Sequence, residues 1–373
     1  MTSRTMLKYL LNINTLLGVH WSYCIRSNIQ KYFIIFHTFF SLSVHTFVVF
    51  EEVYLAWTRE TAEVIIYCAF AISAYFTLAP SFVTAIYRSQ IFMSFLDSTD
   101  RLADFFKDHR KVVKPINVTY WSTIIITIVT VACAILKTID FTIVFTNRGG
   151  AFVFFVIMTQ VILRTTIAFQ YITFFVAIAL VVKYTKRLTE SIKRVEKIAQ
   201  FNDMGVEDKN LIKKEQIQEW AQVYLDLANS CEKVSLCFGR QYFYSLYLFL
   251  CYYIMFAYQL CCLRPHTNTL DYKQVFLLIL NYTLVLIMPL IGGQMAVNQG
   301  TKTHRAVTRF YNAIVDSLEA EAKLTKDFIR LIKKHPLQIK MLSNVATGTY
   351  ILPVILTMAV NYLIILLQFN HII

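Results

Sequence analysis

AFVFFVIMTQVILRTTIAFQYITFFVAIALVV, residues 151–182, is followed at once by KYTKRLTESIKRVEK, residues 183–197. The first stretch carries a single charge, Arg164, and no Gly or Pro. It exceeds the roughly 20 apolar residues that cross a bilayer core as one helix. The second stretch holds six Lys or Arg, beginning at Lys183 and ending at Lys197. An apolar helix that emerges into a basic segment is the signature of a span ending on the cytosolic side. This junction predicts an all-α membrane protein and orients it.

Outward from that segment the pattern recurs. Apolar stretches lie at 32–57, 62–87, 118–142, 151–182, 241–263, 274–299 and 346–369. The chain of 373 residues is 57% hydrophobic and 16% charged, against about 25% charged in soluble domains. A transmembrane barrel would need strands of roughly 10 residues with period-2 alternation; these runs are continuous. Backbone polar groups in lipid must be satisfied within the segment, so helices are expected. The fold class expected is an all-α membrane protein with seven transmembrane helices.

Four long segments, 1–31, 88–117, 183–240 and 300–345, hold 4, 6, 11 and 9 Lys or Arg, which is 30 of the chain's 36. Basic residues near span ends favour the cytosol. The N-terminus is therefore expected in the cytosol and the C-terminus outside. The net charge of +13 reflects cytosolic loops facing anionic lipid rather than nucleic acid. The expected organisation is a cytosolic leader at 1–31, spans one to four at 32–182, and a helical anchor region at 183–240. Spans five and six follow at 241–299, a second anchor region at 300–345, and the last span with the C-terminus at 346–373. The leader has no cleavage box, and Asn12 and Asn14 interrupt its apolar run, so it reads as retained and lying on the membrane surface.

The cytosolic segments carry helical periodicity. Leu188, Ile192, Val195 and Ala199 recur at helix spacing, as do Trp220, Tyr224, Leu227, Cys231, Val234 and Phe238. Val307, Phe310, Ile314 and Leu318 form a third stripe, and Phe328, Leu331 and Ile332 a fourth. Pro336 should end the last of these helices near His335. Long cytosolic helical extensions follow, and their apolar stripes must be covered by each other or by neighbouring chains.

No Gly-rich phosphate loop, zinc-spaced His/Cys set or nucleophile elbow occurs, so no catalytic residue, metal or cofactor is assigned and no enzyme is expected. Cys231 and Cys237 should be free thiols in a reducing compartment. The sequons at Asn117 and Asn281 fall in the cytosol and within a span, where neither is used. An intramembrane charge usually faces a bundle interior or a wet cavity. Arg164 shares a helix face with Gln160 and Tyr171, which reads either as a ligand pocket open to the outside or as a structural Arg held by carbonyls or a carboxylate. Tyr252 and Tyr253 lie deep in span five, where a hydroxyl needs a partner, and read as cavity walls or as packing residues. Ser73, Thr77 and Ser81 form a polar stripe in span two, beside Pro80, that suits helix packing.

The last span, GTYILPVILTMAVNYLIILLQFN at 348–370, carries the most specific signal. Its Asn361-Tyr362, five hydrophobic residues and Gln368-Phe369 resemble Thr-Tyr-(five hydrophobic)-Gln-Phe, the C-terminal signature of the insect gustatory receptor family. Asn361 stands where that family has Thr, so a role of the Thr hydroxyl does not carry over. The resemblance implies a taste receptor that is a tetrameric, ligand-gated, non-selective cation channel in the plasma membrane of sensory neuron dendrites. It implies a small-molecule tastant bound among spans two to six, permeant cations, and partners that are copies of itself or related receptors. The last span would line the pore, with Gln368 and Phe369 at an outer gate and Tyr362 below. Asn361, Ile365 and Gln368 fall on one face, so an amide and a hydrophobic constriction would face the axis. An insect odorant receptor or an auxiliary subunit of such a channel would share this architecture. A G-protein-coupled receptor would have the opposite orientation and shows motifs, Asp-Arg-Tyr and Asn-Pro-x-x-Tyr, that are lacking here. A transporter would show repeated broken helices, and none is found.

Overall fold

In the computed structural model, residues 151–182 form the first part of a single helix that continues through the basic run. The structure describes residues 3–57, 62–108, 125, 127–129, 132, 151–201, 214–262, 269–316, 318–342 and 345–369. The helices are α1 Ser3–Leu16, α2 Asn28–Trp57, α3 Ala62–Tyr87, α4 Ser89–Asp108, α5 Ala151–Phe201, α6 Lys214–Val234, α7 Arg240–Cys262, α8 Thr269–Ile314, α9 Glu319–Lys334 and α10 Ile351–Phe369. Among the described residues the only β pairing is an isolated bridge between Lys340 and Ala346. The apolar segment at 118–142 lies outside the described residues, apart from a few helical positions.

Two helices organise the rest. α5 has 51 residues and α8 has 46. At about 1.5 Å per residue each is on the order of 70 Å long, over twice the roughly 30 Å of a bilayer core. They run side by side, burying Ile172, Phe175, Ile178, Val285, Leu290 and Ala296. Where the apolar faces give out, a polar lock takes over: Gln299 Nε2 donates to Thr189 Oγ1 at 3.0 Å, and Thr189 and Thr303 hydroxyls meet at 2.8 Å. Thr185, Thr189 and Thr303 also return their hydroxyls to the carbonyl four residues earlier, so buried Thr costs no unsatisfied group.

Among the described residues, Asn28–Phe50 and Thr165–Gln200 are long and apolar enough to cross a membrane. The first is mostly exposed, showing Phe33, Phe36, Phe39, Phe47 and Phe50. The second is mostly buried. An apolar surface on that scale calls for lipid or a partner.

The stripes of the anchor regions close on one another within the chain. Trp220, Tyr224, Leu227, Cys231 and Val234 of α6 are buried, as are Val307, Phe310 and Ile314 of α8. Trp220 meets Phe310 edge-on at 5.7 Å between centroids, and Tyr224 meets Phe328 of α9 at 5.9 Å. Of the two coverings the periodicity allows, the intrachain one is realised, because α8, α9 and α6 bring their stripes to one axis. Glu319 and Glu321 open α9, Lys333 and Lys334 close it, and Pro336 follows, matching the helix dipole at both ends.

The N-terminal leader is not a surface strap. Leu7 and Leu10 are buried against the bundle, and Asn14 enters it. The Asn14 amide donates to Thr173 Oγ1 at 2.7 Å, Gln170 Nε2 donates to Asn14 Oδ1 at 3.2 Å, and Trp21 Nε1 donates to Gln170 Oε1 at 3.3 Å. All four residues are buried. The same Asn that interrupts the apolar run in sequence thus anchors α1 to α5.

Candidate functional site

Among the described residues α10 packs chiefly against α7. Ala359 packs with Leu250 and Ile254 of α7, and Ile355 adds to the contact. Elsewhere along it Val354, Leu356, Met358, Val360, Ile364 and Ile365 are exposed. Asn361, Tyr362 and Gln368 are exposed too. Asn361, Ile365 and Gln368 share one helical face, with Tyr362 at its flank. The side chain of Phe369 lies outside the described residues. Pro353 falls in the first turn of α10, where its missing N–H leaves no helical bond unmade.

The apolar segment from 346 does not enter the helix at once. α10 starts at Ile351 because 345–347 pairs back on 339–341: Thr347 N–H donates to Ile339 O at 2.6 Å and Met341 N–H to Val345 O at 2.8 Å. This fold-back is clamped to two other helices. The Lys340 N–H donates to Ser235 Oγ at 2.8 Å. At Gly239 and Gly293 the backbones of Lys340 and Thr347 approach so closely that a β-carbon would overlap them. Thr349 Oγ1 also reaches Gln294 Oε1 at 3.4 Å. The clamp sits where α6 passes through a π turn, Ser235–Gly239, into α7.

The predicted ligand residues divide. Tyr171 is buried, donates to Ser245 Oγ, and lies edge-on to Tyr242 at 5.6 Å. Tyr242 in turn donates to the Leu286 carbonyl. Tyr171 therefore ties α5 to α7 within the aromatic core that continues through Phe174, Phe238 and Trp21. Tyr253 is 39% exposed and tilts against Phe249 at 6.0 Å. Gln160 and Arg164 lie on α5 one turn apart, towards its start, and Tyr252 on α7. The side chains of these three lie outside the described residues. In α3, Ser81 is buried and accepts from Gln241 Nε2; the side chains of Ser73 and Thr77 lie outside the described residues.

Two clefts open at the base of α10. One, of about 450 Å³, is lined by Arg88, Glu232, Arg240, Lys334, His335 and Lys340 among others. The other, of about 260 Å³, adjoins it at Pro336 and Gln338 and includes His304 and Tyr224. Neither was legible in the sequence, since their linings come from segments distant in the chain. Cys231 and Cys237 are free. Burial pushes both thiols up to about 12, with Arg88 working against burial at Cys237. Both are therefore protonated and unreactive.

No protein-family model and no curated protein matches the chain. Solved structures do. The insect olfactory receptor OR5 from Machilis hrabei in complex with eugenol is similar with a TM-score of 0.72 at 12% identity, over 99% of this chain and 100% of that one. A second structure of the same receptor is similar with a TM-score of 0.69 at 12% identity, over 98% of this chain and 97% of that one. At that identity the likeness is one of fold, and it extends end to end. This chain has the fold of an insect olfactory receptor.

Proposed function

We propose that this chain is an insect-type chemoreceptor subunit, a ligand-gated, non-selective cation channel of the taste branch. The observation that carries the reading is the end-to-end fold likeness to an insect olfactory receptor, together with a last helix that, among the described residues, packs on α7 and leaves an apolar face exposed. In this reading seven spans cross the plasma membrane, the N-terminus is cytosolic, and span three occupies 118–142. Four chains, identical or related, surround one axis, and α10 presents Asn361, Ile365 and Gln368 to it, with Phe369 sealing the outer end. Because the stripes of α6 and α8 are used up within the chain, contacts between chains fall to other surfaces of the anchor helices and to α10. The Tyr362…Gln368-Phe369 ending favours taste over smell.

Tastant binds in a pocket open to the outside, walled by Gln160, Arg164, Tyr252 and Tyr253, with Tyr171 as its fixed floor. Arg164→Gln should shift the dose response while surface expression persists. Loss of folded protein instead would mark Arg164 as structural. Currents from cells expressing the chain alone, against a panel of tastants, test the function directly. Epitope tags at both ends of intact cells should label only the C-terminus, and mass photometry of gently extracted protein should find four subunits. An exposed N-terminus overturns the channel reading.

The odorant reading has one specific support, the eugenol complex of the structural neighbour. Responses to volatile phenols with none to sugars or bitter compounds would favour it. Current only on co-expression with a related receptor would make the chain an auxiliary subunit.

A further inference from the structure

The cleft at the base of α10 has no place in the channel reading above. It gathers Arg88 from the end of α3, Arg240 from the start of α7, Lys334 and His335 from the end of α9, and Lys340 from the clamp. One carboxylate, Glu232, opposes them. Among the described residues none of the cleft's four Lys and Arg forms an ion pair. Like charges gathered around a cavity repel, and an anion bound among them would relieve that repulsion. Arg88 is held in place by donation to the Leu236 carbonyl, which leaves further guanidinium N–H groups for a ligand. At about 450 Å³ the cleft is within the size range of small-molecule sites.

We infer that this cleft binds a polyphosphorylated inositol headgroup, drawn from a lipid of the cytosolic leaflet. Four cations from four elements, of which Arg88 is held by its bond to Leu236, suit clustered phosphate monoesters better than the single charge of phosphatidylserine. Arg88 follows the last residue of α3 and Arg240 opens α7, both apolar helices, and Lys340 lies against Gly239 beside them, which is the level of lipid headgroups. Lys340 also belongs to the clamp, so a bound headgroup would bridge α3 and α7 to the lead-in of α10. It would hold that lead-in in its docked form.

The choice of leaflet rests on the proposed orientation; the site does not. Detergent-purified full chain should be titrated with short-chain phosphatidylinositol bisphosphate, and in parallel with inositol trisphosphate and short-chain phosphatidylserine, by native mass spectrometry. The bisphosphate lipid should bind best. Arg240→Gln and Lys340→Gln, both at exposed side chains, should each weaken it about fivefold. Glu232→Gln should strengthen it. Lipid binding tighter than trisphosphate binding identifies the leaflet as source, equal binding identifies a soluble inositol phosphate, and both uphold the site. Unchanged affinity in all three variants, or phosphatidylserine binding equally well, overturns it. Binding in detergent is blind to sidedness, so a failed tag experiment would remove the orientation and leave the site standing.

Discussion

Gly239 lies against the backbone of Lys340 and Met341, with the Met341 Cα only 3.1 Å from where a β-carbon would stand. No side chain fits there, so the chain entering α10 rests directly on the turn that starts α7. Gly293 of α8 makes the same kind of contact with Thr347. Two helices thus fix the lead-in to the last span by contact of backbone with backbone.

Gly293 sits inside a helix, where Ala would ordinarily add about 1 kcal/mol of stability. Overpacking against Thr347 should reverse the sign, costing about 1–3 kcal/mol. Gly293→Ala and Gly239→Ala should both lower the melting temperature of detergent-purified protein, and both should change the resting current. A raised melting temperature for Gly293→Ala would mean that the lead-in is free to move away.

Asn14→Ala deletes the partner of Gln170 and Thr173 and leaves their polar groups buried. The expected loss is about 1–3 kcal/mol. Asn12, two residues earlier and exposed, is the control: Asn12→Ala should fall within about 0.5 kcal/mol of wild type. Equal melts for the two variants would mean that α1 does not dock through Asn14.

His20 is buried beside His37, 3.2 Å between ring nitrogens. Burial first, then His37 and Arg26, lower its pKa from 6.5 to about 4. The folded state therefore prefers neutral imidazole, while the unfolded chain takes up a proton near 6.5. Stability is complete above that value and declines as pH falls towards about 4, where both states are protonated. Melts of wild type and His20→Asn across this window should converge as pH falls. Parallel curves would show that another group sets the acid response.

Phe369→Ala should raise current without ligand, because a wider and less apolar constriction wets more readily. Gln368→Glu would place four carboxylates around a four-fold axis and favour divalent over monovalent cations. A Cys at either position should react with thiol reagents from outside, faster when ligand is present. Unchanged leak, selectivity and reagent access in surface-expressed protein would remove α10 from the pore.

The apolar runs by themselves determined where the long helices lie, since a backbone surrounded by apolar side chains has no other way to satisfy its polar groups. Residues 62–87 and 241–263 nearly coincide with α3 and α7, and Pro336 marked the end of α9 for the same local reason. The periodicity also showed which faces of α6, α8 and α9 are apolar. It could not say what covers them, because a stripe such as Trp220–Tyr224–Leu227 is equally served by Phe310 and Phe328 or by another chain. That choice was made by tertiary packing. So was the placement of Tyr171, which in sequence shares a face with Arg164 but in the fold is spent on Ser245 and Tyr242. The Asn14–Gln170 lock spans 156 positions and the Gln241–Ser81 bond 160, separations at which no local pattern records a contact. The cleft of Arg88, Arg240 and Lys340 has the same origin: three scattered cations become one site only when α3, α7 and the lead-in to α10 are folded together.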